Sequence, residues 1–313
     1  MNVDPRHGLK VCICLAAVYF IWGSSFLFSK IAVNNLPPAM LSGARFMTAG
    51  TLLALFAHYR GGAVWPTGRR EWTQGFVLGI LMVVASNGLN IWAIQYIATN
   101  QSALLNSTAA FWIAGLGVFG RRGHRLSPRA ITGLVVGFVG TVLMLIPDGR
   151  IPTAAALAQI GALCGCFSWS IGTVYYRSID TRISPLMLTS LQMWLGGLMM
   201  LVFSFAIGDW GRWHMNTPGL VSLGYLTLCS SCLAYTAYGW LSRNTTPALI
   251  GTYSYVNPAI AAFMGWQFLD EHLSKTQLTG MLIVIIGVVF LTMPARFMGA
   301  PPAENQAAPP RGA

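Results

Sequence analysis

Six cysteines, five histidines and eight acidic residues are the side chains from which this chain would have to build a metal centre, an activated nucleophile or a proton relay. Their spacing provides none of these. Cys12/Cys14 and Cys164/Cys166 stand two apart, which on a helix turns them to different faces. Cys229 and Cys232 share a face, but no carboxylate or histidine stands near them in sequence. All six read as small apolar packing residues. The acids Asp4, Glu71, Asp148, Asp180, Asp209, Asp270, Glu271 and Glu304 fall in polar links, at the edges of apolar runs or in the C-terminal segment. His7, His58, His124, His214 and His272 are likewise peripheral. There is no His-Glu-x-x-His, no acid pair inside an apolar run, no phosphate-binding loop and no cofactor fingerprint. The sequence therefore assigns no catalytic residue, no metal ligand and no cofactor, and disfavours an enzyme.

The informative polar residues are those inside apolar runs. Ser86 and Asn90 share a helical face at spacing four, with Asn87 beside them, and Ser102 and Asn106 do the same, with Ser107 adjacent. Ser231, Tyr235 and Tyr238 form one stripe, and Tyr253 and Asn257 another. Trp22 and Trp169 lie deep in their runs, and Ser25 follows Trp22 by three. For any one of these, packing and helix-to-helix hydrogen bonding is the simpler explanation. Together they point to a shared cavity whose aromatic walls, amides and hydroxyls suit an apolar or aromatic, amino-acid-like solute. Arg45 stands about seven residues into its run, roughly 10 Å below the boundary at helical rise. Two readings stay open for it: snorkelling to the interface, or facing the cavity mouth to pair with a substrate carboxylate. Pro258 removes one backbone hydrogen bond in mid-run and marks a hinge or a packing kink.

The elements that must position these residues are membrane helices. Of 313 residues, 55% are hydrophobic and only 9% charged, and the mean hydropathy is +0.59. A soluble chain carries about 25% charged residues, so too little polar surface remains here to face water. About 20 residues are needed to cross the hydrocarbon core. Apolar runs of that length occupy approximately 10–30, 38–58, 73–97, 101–119, 129–147, 154–177, 185–207, 219–241, 247–268 and 276–294. The expected fold is an all-α integral membrane protein of ten transmembrane helices. The run from Val11 lacks a small-residue cleavage site and reads as a retained first helix. The net charge of +11 is scattered in pairs between runs, which fits topology signals and argues against nucleic acid as a partner. With the N-terminus in the cytoplasm, fourteen lysines and arginines fall inside and four outside, so both termini are expected to be cytoplasmic. Trp65, Trp72, Trp210, Trp213, Trp240 and Trp266 sit near run ends as interfacial anchors.

The chain also repeats itself. At an offset of 147, Trp22 falls on Trp169, Lys30 on Arg177, Pro38 on Pro185, Gly50 on Gly197, Gly133 on Gly280 and Gly140 on Gly287. Around the third and fourth runs an offset of 145 fits better, pairing Ser102-Ala103 with Pro247-Ala248. Five helices per half is an odd number, so the second half must insert with opposite orientation, as in alternating-access transporters. The expected organisation is a cytoplasmic N-terminus (1–9), a first five-helix repeat (10–147), an external linker (148–153), a second repeat (154–294) and a disordered cytoplasmic tail (295–313). Gly133 and Gly137 form a small-xxx-small pair that serves close packing within the chain or, as a homo-oligomer, between copies.

The segments Trp22-Gly23-Ser24-Ser25-Phe26, Pro37-Pro38 and Arg45-Phe46 resemble the first two helices of the EamA family of the drug/metabolite transporter superfamily. Tyr255-Val256-Asn257-Pro258, Asp270-Glu271, Gly280 and Gly287 are similar to its last two. The resemblance implies a ten-helix basket with a central cavity that exports small metabolites or drugs across the inner membrane, with the solute and the bilayer as partners. This sequence departs from the pattern where the first half should match Pro258 and Glu271: it has Ala110 to Ile113, then Arg121-Arg122-Gly123-His124-Arg125. The absence of a membrane-embedded carboxylate argues against a cationic substrate and against carboxylate-based proton exchange. A neutral or zwitterionic solute is the expectation. The alternatives are a multidrug exporter of the same fold, a channel, or a membrane enzyme.

Overall fold

The computed structural model describes residues 5–60, 65–118, 128–145, 152–214, 216–245, 253–272 and 274–292, and among these there is helix and no strand. The basic segment Arg121–Arg125, the tail 295–313 and residues 148–151 of the expected linker lie outside the described residues.

Helix α1 spans Pro5–Val33 and α2 spans Pro38–Tyr59, entered through the Pro37-Pro38 pair that favours a helix start. The third helix, α3, runs Arg69–Ala93, and α4 comprises Thr99–Ser107 and Ala109–Val118, interrupted at Thr108. Next come α5 (Pro128–Leu145), α6 (Thr153–Ser178) and α7 (Pro185–Ala206). Then α8 covers Thr217–Tyr225, Leu226–Ala234 and Tyr235–Asn244, α9 covers Tyr253–Leu269, and α10 covers Lys275–Thr292. Six of these, α1, α2, α3, α6, α7 and α8, are long and apolar enough to cross a membrane, and α5 and α10 contain shorter apolar stretches.

Helix α1 begins at Pro5, ahead of the apolar run expected from about residue 10. A second difference is that the middle of α3 (Gly79–Gly88) and the middle of α8 (Leu226–Ala234) are π-helical. The two segments occupy matching positions in the 147-residue repeat. A π turn bonds each amide five residues back, so side chains no longer recur at three and four, and such turns occur frequently at functional sites.

The surface is apolar and much of the interior is polar. Phe20, Leu55, Phe138, Val202 and Phe263 are exposed, whereas Ser42, Arg45, Asn100, Gln192, Ser231 and Asn257 are buried. That inversion suits a lipid solvent, in which polar groups must find partners within the protein.

Two helix pairs dominate the packing: α2 against α7, and α5 against α10. Both rest on glycines. A Cβ on Gly50 would lie 2.7 Å from the Trp194 nitrogen, and one on Gly197 would strike the Met47 nitrogen. In the other pair, a Cβ on Gly140 would lie 2.7 Å from the Val284 nitrogen, and one on Gly287 would lie 2.6 Å from the Gly137 nitrogen. The contacts are reciprocal. If a residue meets a position one repeat away, that residue's mate meets the first position's mate, which is the pattern of a two-fold interface. Within each pair the contact positions run in opposite directions along the two helices. Ser190 adds a hydrogen bond from its hydroxyl to the Gly50 carbonyl, at 2.6 Å.

Candidate functional site

Seven helices converge on a cavity of about 130 Å³. Its walls come from Trp22, Ser25, Phe26 and Ser29 of α1, Arg45 of α2, Ser86, Asn87 and Asn90 of α3, and Ser102, Asn106 and Ser107 of α4. Trp169 of α6, Ser230 and Tyr235 of α8, and Tyr253, Ser254, Asn257 and Pro258 of α9 line it too, with the apolar Ile91, Ile94, Ala103 and Ala109 between the polar groups of α3 and α4. Among the described residues, α5, α10 and α7 contribute none to the lining.

The aromatic wall is built on the repeat. Trp22 and Trp169, mates at the 147-residue offset, meet edge to face with ring centres 5.9 Å apart. Tyr235 lies 5.6 Å from Trp22 and 5.5 Å from Trp169, and Tyr253 lies 5.6 Å from Trp22. Such tilted and edge contacts lock the rings against one another. The Trp22 indole nitrogen donates to the Ser230 carbonyl at 3.3 Å, within the π-helical part of α8. The wall is thereby pinned to the backbone.

An amide chain runs along the α3–α4 side. Asn106 Nδ2 donates to Asn90 Oδ1 at 2.6 Å and to the Ser102 carbonyl at 2.9 Å, and Asn90 Nδ2 donates to the Ser86 carbonyl at 2.9 Å. Asn87 Nδ2 donates to the Met82 carbonyl at 2.6 Å, five residues back, and makes a longer 3.4 Å contact to the Tyr235 hydroxyl. The Asn87 side chain thus returns to its own helix within the π segment, and Ser86 and Asn87 both line the wall.

Arg45 is buried and does not snorkel. Its Nε donates to Ser231 Oγ at 2.8 Å and its Nη2 to Ser230 Oγ at 3.0 Å, and its guanidinium lies over the Phe46 ring at 4.6 Å. Of the expected site residues, Trp22, Ser25, Arg45, Ser86, Asn90, Asn106, Trp169, Tyr235, Tyr253 and Asn257, together with the expected hinge Pro258, are brought to one cavity. Tyr238 is the exception. It packs with Val18 and Leu241 behind Trp22, 5.0 Å from that ring, and buttresses the wall from outside. Ser231 also lies off the wall and Ser230 takes its place, because the π segment gives Ser230 and Tyr235 a common face at spacing five. Phe26, Ser29, Ser230 and Ser254 also line the cavity; Ser230 escapes a stripe drawn at spacing three or four because it lies in a π turn, whereas Phe26 and Ser29 continue the regular α-helical stripe of Trp22 and Ser25.

Two further charges act at the rim of the fold. Lys30 Nζ donates to the carbonyls of Ile94 and Ile97 at 2.6 and 3.0 Å, just past the C-terminus of α3. Glu271 accepts from the Thr99 amide and hydroxyl, both at 2.8 Å, and from the Asn100 amide at 3.3 Å, at the N-terminus of α4. Each charge has the sign that its helix end favours. Glu271, expected in a loop, thus reaches from the α9–α10 link to hold the α3–α4 link.

What this arrangement can do chemically is bind. It offers amide, hydroxyl and guanidinium donors beside aromatic faces, in a pocket enclosed by helices.

The sequence profile of the EamA-like transporter family matches residues 9–146 and again 156–293. An Escherichia coli K12 protein named "Uncharacterized inner membrane transporter YedA" is 30% identical, over 96% of this chain and 98% of its own length. Another from the same organism, named "Probable amino-acid metabolite efflux pump", is 25% identical over 87% of this chain and 91% of its own. A solved structure titled "Crystal structure of protein" superposes with a TM-score of 0.71 at 16% identity, covering 93% of this chain and 99% of that one.

Proposed function

The chain belongs to the EamA-like transporter family, and from that premise we propose that it is a secondary transporter exporting small neutral or zwitterionic, amino-acid-like metabolites across the inner membrane by alternating access. Ten helices cross the bilayer in this reading, as two five-helix repeats (10–147 and 154–294) of opposite orientation with both termini in the cytoplasm. The observation that carries it is the cavity's position. It lies among helices of both halves, and the mates Trp22 and Trp169 face each other on its wall. A site shared by two halves whose mates pack antiparallel is what a rocking carrier needs, since movement of one half against the other exposes the same site to either side. The antiparallel, reciprocal glycine contacts of α2 with α7 and of α5 with α10 support the opposite orientation of the halves.

The character of the solute follows from the wall. Aromatic faces and amides line it, Arg45 is its one charged group among the described residues, and no carboxylate does. A multidrug exporter for cations would need an acid at this depth. Two E. coli relatives carry names in keeping with the reading, one an inner membrane transporter and one an amino-acid metabolite efflux pump.

The test is uptake into proteoliposomes of a labelled panel of neutral amino acids against ethidium and methyl viologen. Saturable uptake of one or more amino acids, without either cation, is expected. Uptake of the cations without the amino acids contradicts the reading.

A further inference from the structure

Arg45 faces the cavity with no anion to balance it. The residue is 5% exposed, and among the described residues the sole ion pair is Arg212 with Asp209, elsewhere in the fold. Ser230 and Ser231 satisfy two of its five N–H donors but are neutral, so its charge stays uncompensated. A buried cation in that state is costly in a membrane protein unless something else supplies the negative charge.

Packing does not require the charge. The repeat places Gln192 of α7 at the position equivalent to Arg45 of α2, and Gln192 is buried there without lining the cavity. A neutral side chain of similar reach therefore fills the same slot of the same helix pair. The cation appears only in the half whose side chain opens onto the cavity.

A second, separate observation completes the site. Ser102 Oγ, Ser254 Oγ and Asn257 Oδ1 line the same cavity, are 1%, 2% and 6% exposed as residues, and have no hydrogen-bond partner. Buried oxygens of this kind are normally paired. They stand on α4 and α9, whereas Arg45 is held by α2 and α8, so unpaired oxygens and the cation reach the cavity from different helices.

We infer that the cavity recognises an α-amino acid by its two charges: the carboxylate on Arg45, and the ammonium on Ser102, Ser254 and Asn257. This rests on the reading of the cavity as the transport site and adds to it that a free carboxylate is obligatory. The solute's side chain then lies along Trp22 and Tyr253. Amines that share the side chain but lack the acid leave Arg45 unbalanced and are rejected. Desamino acids leave the three oxygens unpaired and are bound weakly.

The test is equilibrium binding to the full chain in lipid nanodiscs, followed by tryptophan fluorescence and by thermal shift. The probes are L-leucine, L-methionine, L-phenylalanine and L-glutamine, each compared with its carboxamide, its decarboxylated amine and its desamino acid. The expected result is that, for at least one series, the amino acid binds about thirtyfold or more tightly than the amide and the amine. Arg45→Gln, which copies the Gln192 position, is expected to bind acid and amide alike. The wild-type series decides the matter even if that variant fails to fold. Acid, amide and amine binding equally well overturns the assignment of Arg45 while leaving a central transport cavity standing. A panel in which no member binds or is carried overturns both.

Discussion

The Glu271 carboxylate accepts hydrogen bonds from both the backbone amide and the hydroxyl of Thr99, at 2.8 Å each, and so caps α4 from the distant α9–α10 link. Lys30 holds the preceding helix end through the Ile94 and Ile97 carbonyls. The short α3–α4 link is thereby gripped on one side by a cation and on the other by an anion, each matched to the local helix dipole.

Glu271→Ala is expected to lower stability by about 2 kcal/mol, the scale of hydrogen bonds to a charged group, and Glu271→Gln by less because an acceptor remains. Thermal unfolding in detergent measures this. An Ala variant melting with the wild type would show that the cap carries no stability.

Gly50 and Gly197 should not tolerate side chains. Leucine at either position must displace backbone, not a flexible side-chain tip, and overpacking of this kind costs about 1–3 kcal/mol or more. Folded yield after membrane extraction is expected to fall for Gly50→Leu and Gly197→Leu alike. Gly224→Ala and Gly239→Ala, where a Cβ meets nothing within 4 Å, are the matched controls and should leave yield unchanged. Equal yields across all four would contradict the packing described for α2 and α7.

Much of this fold is legible in the sequence because lipid enforces simple rules. Long apolar runs mark helices, and Gly50/Gly197 and Gly140/Gly287 stand out as matched positions of the repeat, although their contacts across the helix pairs show only in the fold. The candidate wall was legible for a similar reason: a buried asparagine or serine in an apolar run must point inward. What the sequence hid is geometric. The π turns at Gly79–Gly88 and Leu226–Ala234 shift the register, so Ser230 replaces Ser231 on the wall and Tyr238 falls behind it. Glu271 is a loop residue, as expected, but its capping of α4 was hidden because its partner Thr99 is 172 residues away. The burial of Arg45 depends on serines of α8, which no local pattern reveals.

Alanine at Trp22, Asn90, Tyr235 or Asn257 should lower kcat/KM for the transported amino acid by about tenfold or more, the scale seen when a buried contact residue is truncated, without lowering membrane yield. Tyr238→Phe, altering a ring that buttresses the wall without lining it, should transport within about twofold of wild type. Initial rates in proteoliposomes, normalised to protein incorporated, check both. Normal rates in all four alanine variants would refute the cavity as the transport site.

With no carboxylate or histidine lining the cavity among the described residues, solute exchange should vary less than about twofold between pH 6 and 8, where neither an arginine nor a tyrosine changes charge. Exchange rates at equal pH on both faces of the vesicle give the profile. A steep titration near pH 6 to 7 would point to a proton-binding group in the cycle and contradict the account.

The most direct test of the central claim, that one cavity shared by two opposed repeats carries solute by alternating access, is counterflow. Proteoliposomes are loaded with unlabelled amino acid, diluted, and offered the labelled form outside. The account predicts transient accumulation above equilibrium and faster entry than into empty vesicles. High flux with no such trans-stimulation would mean a continuous pore, and would contradict it.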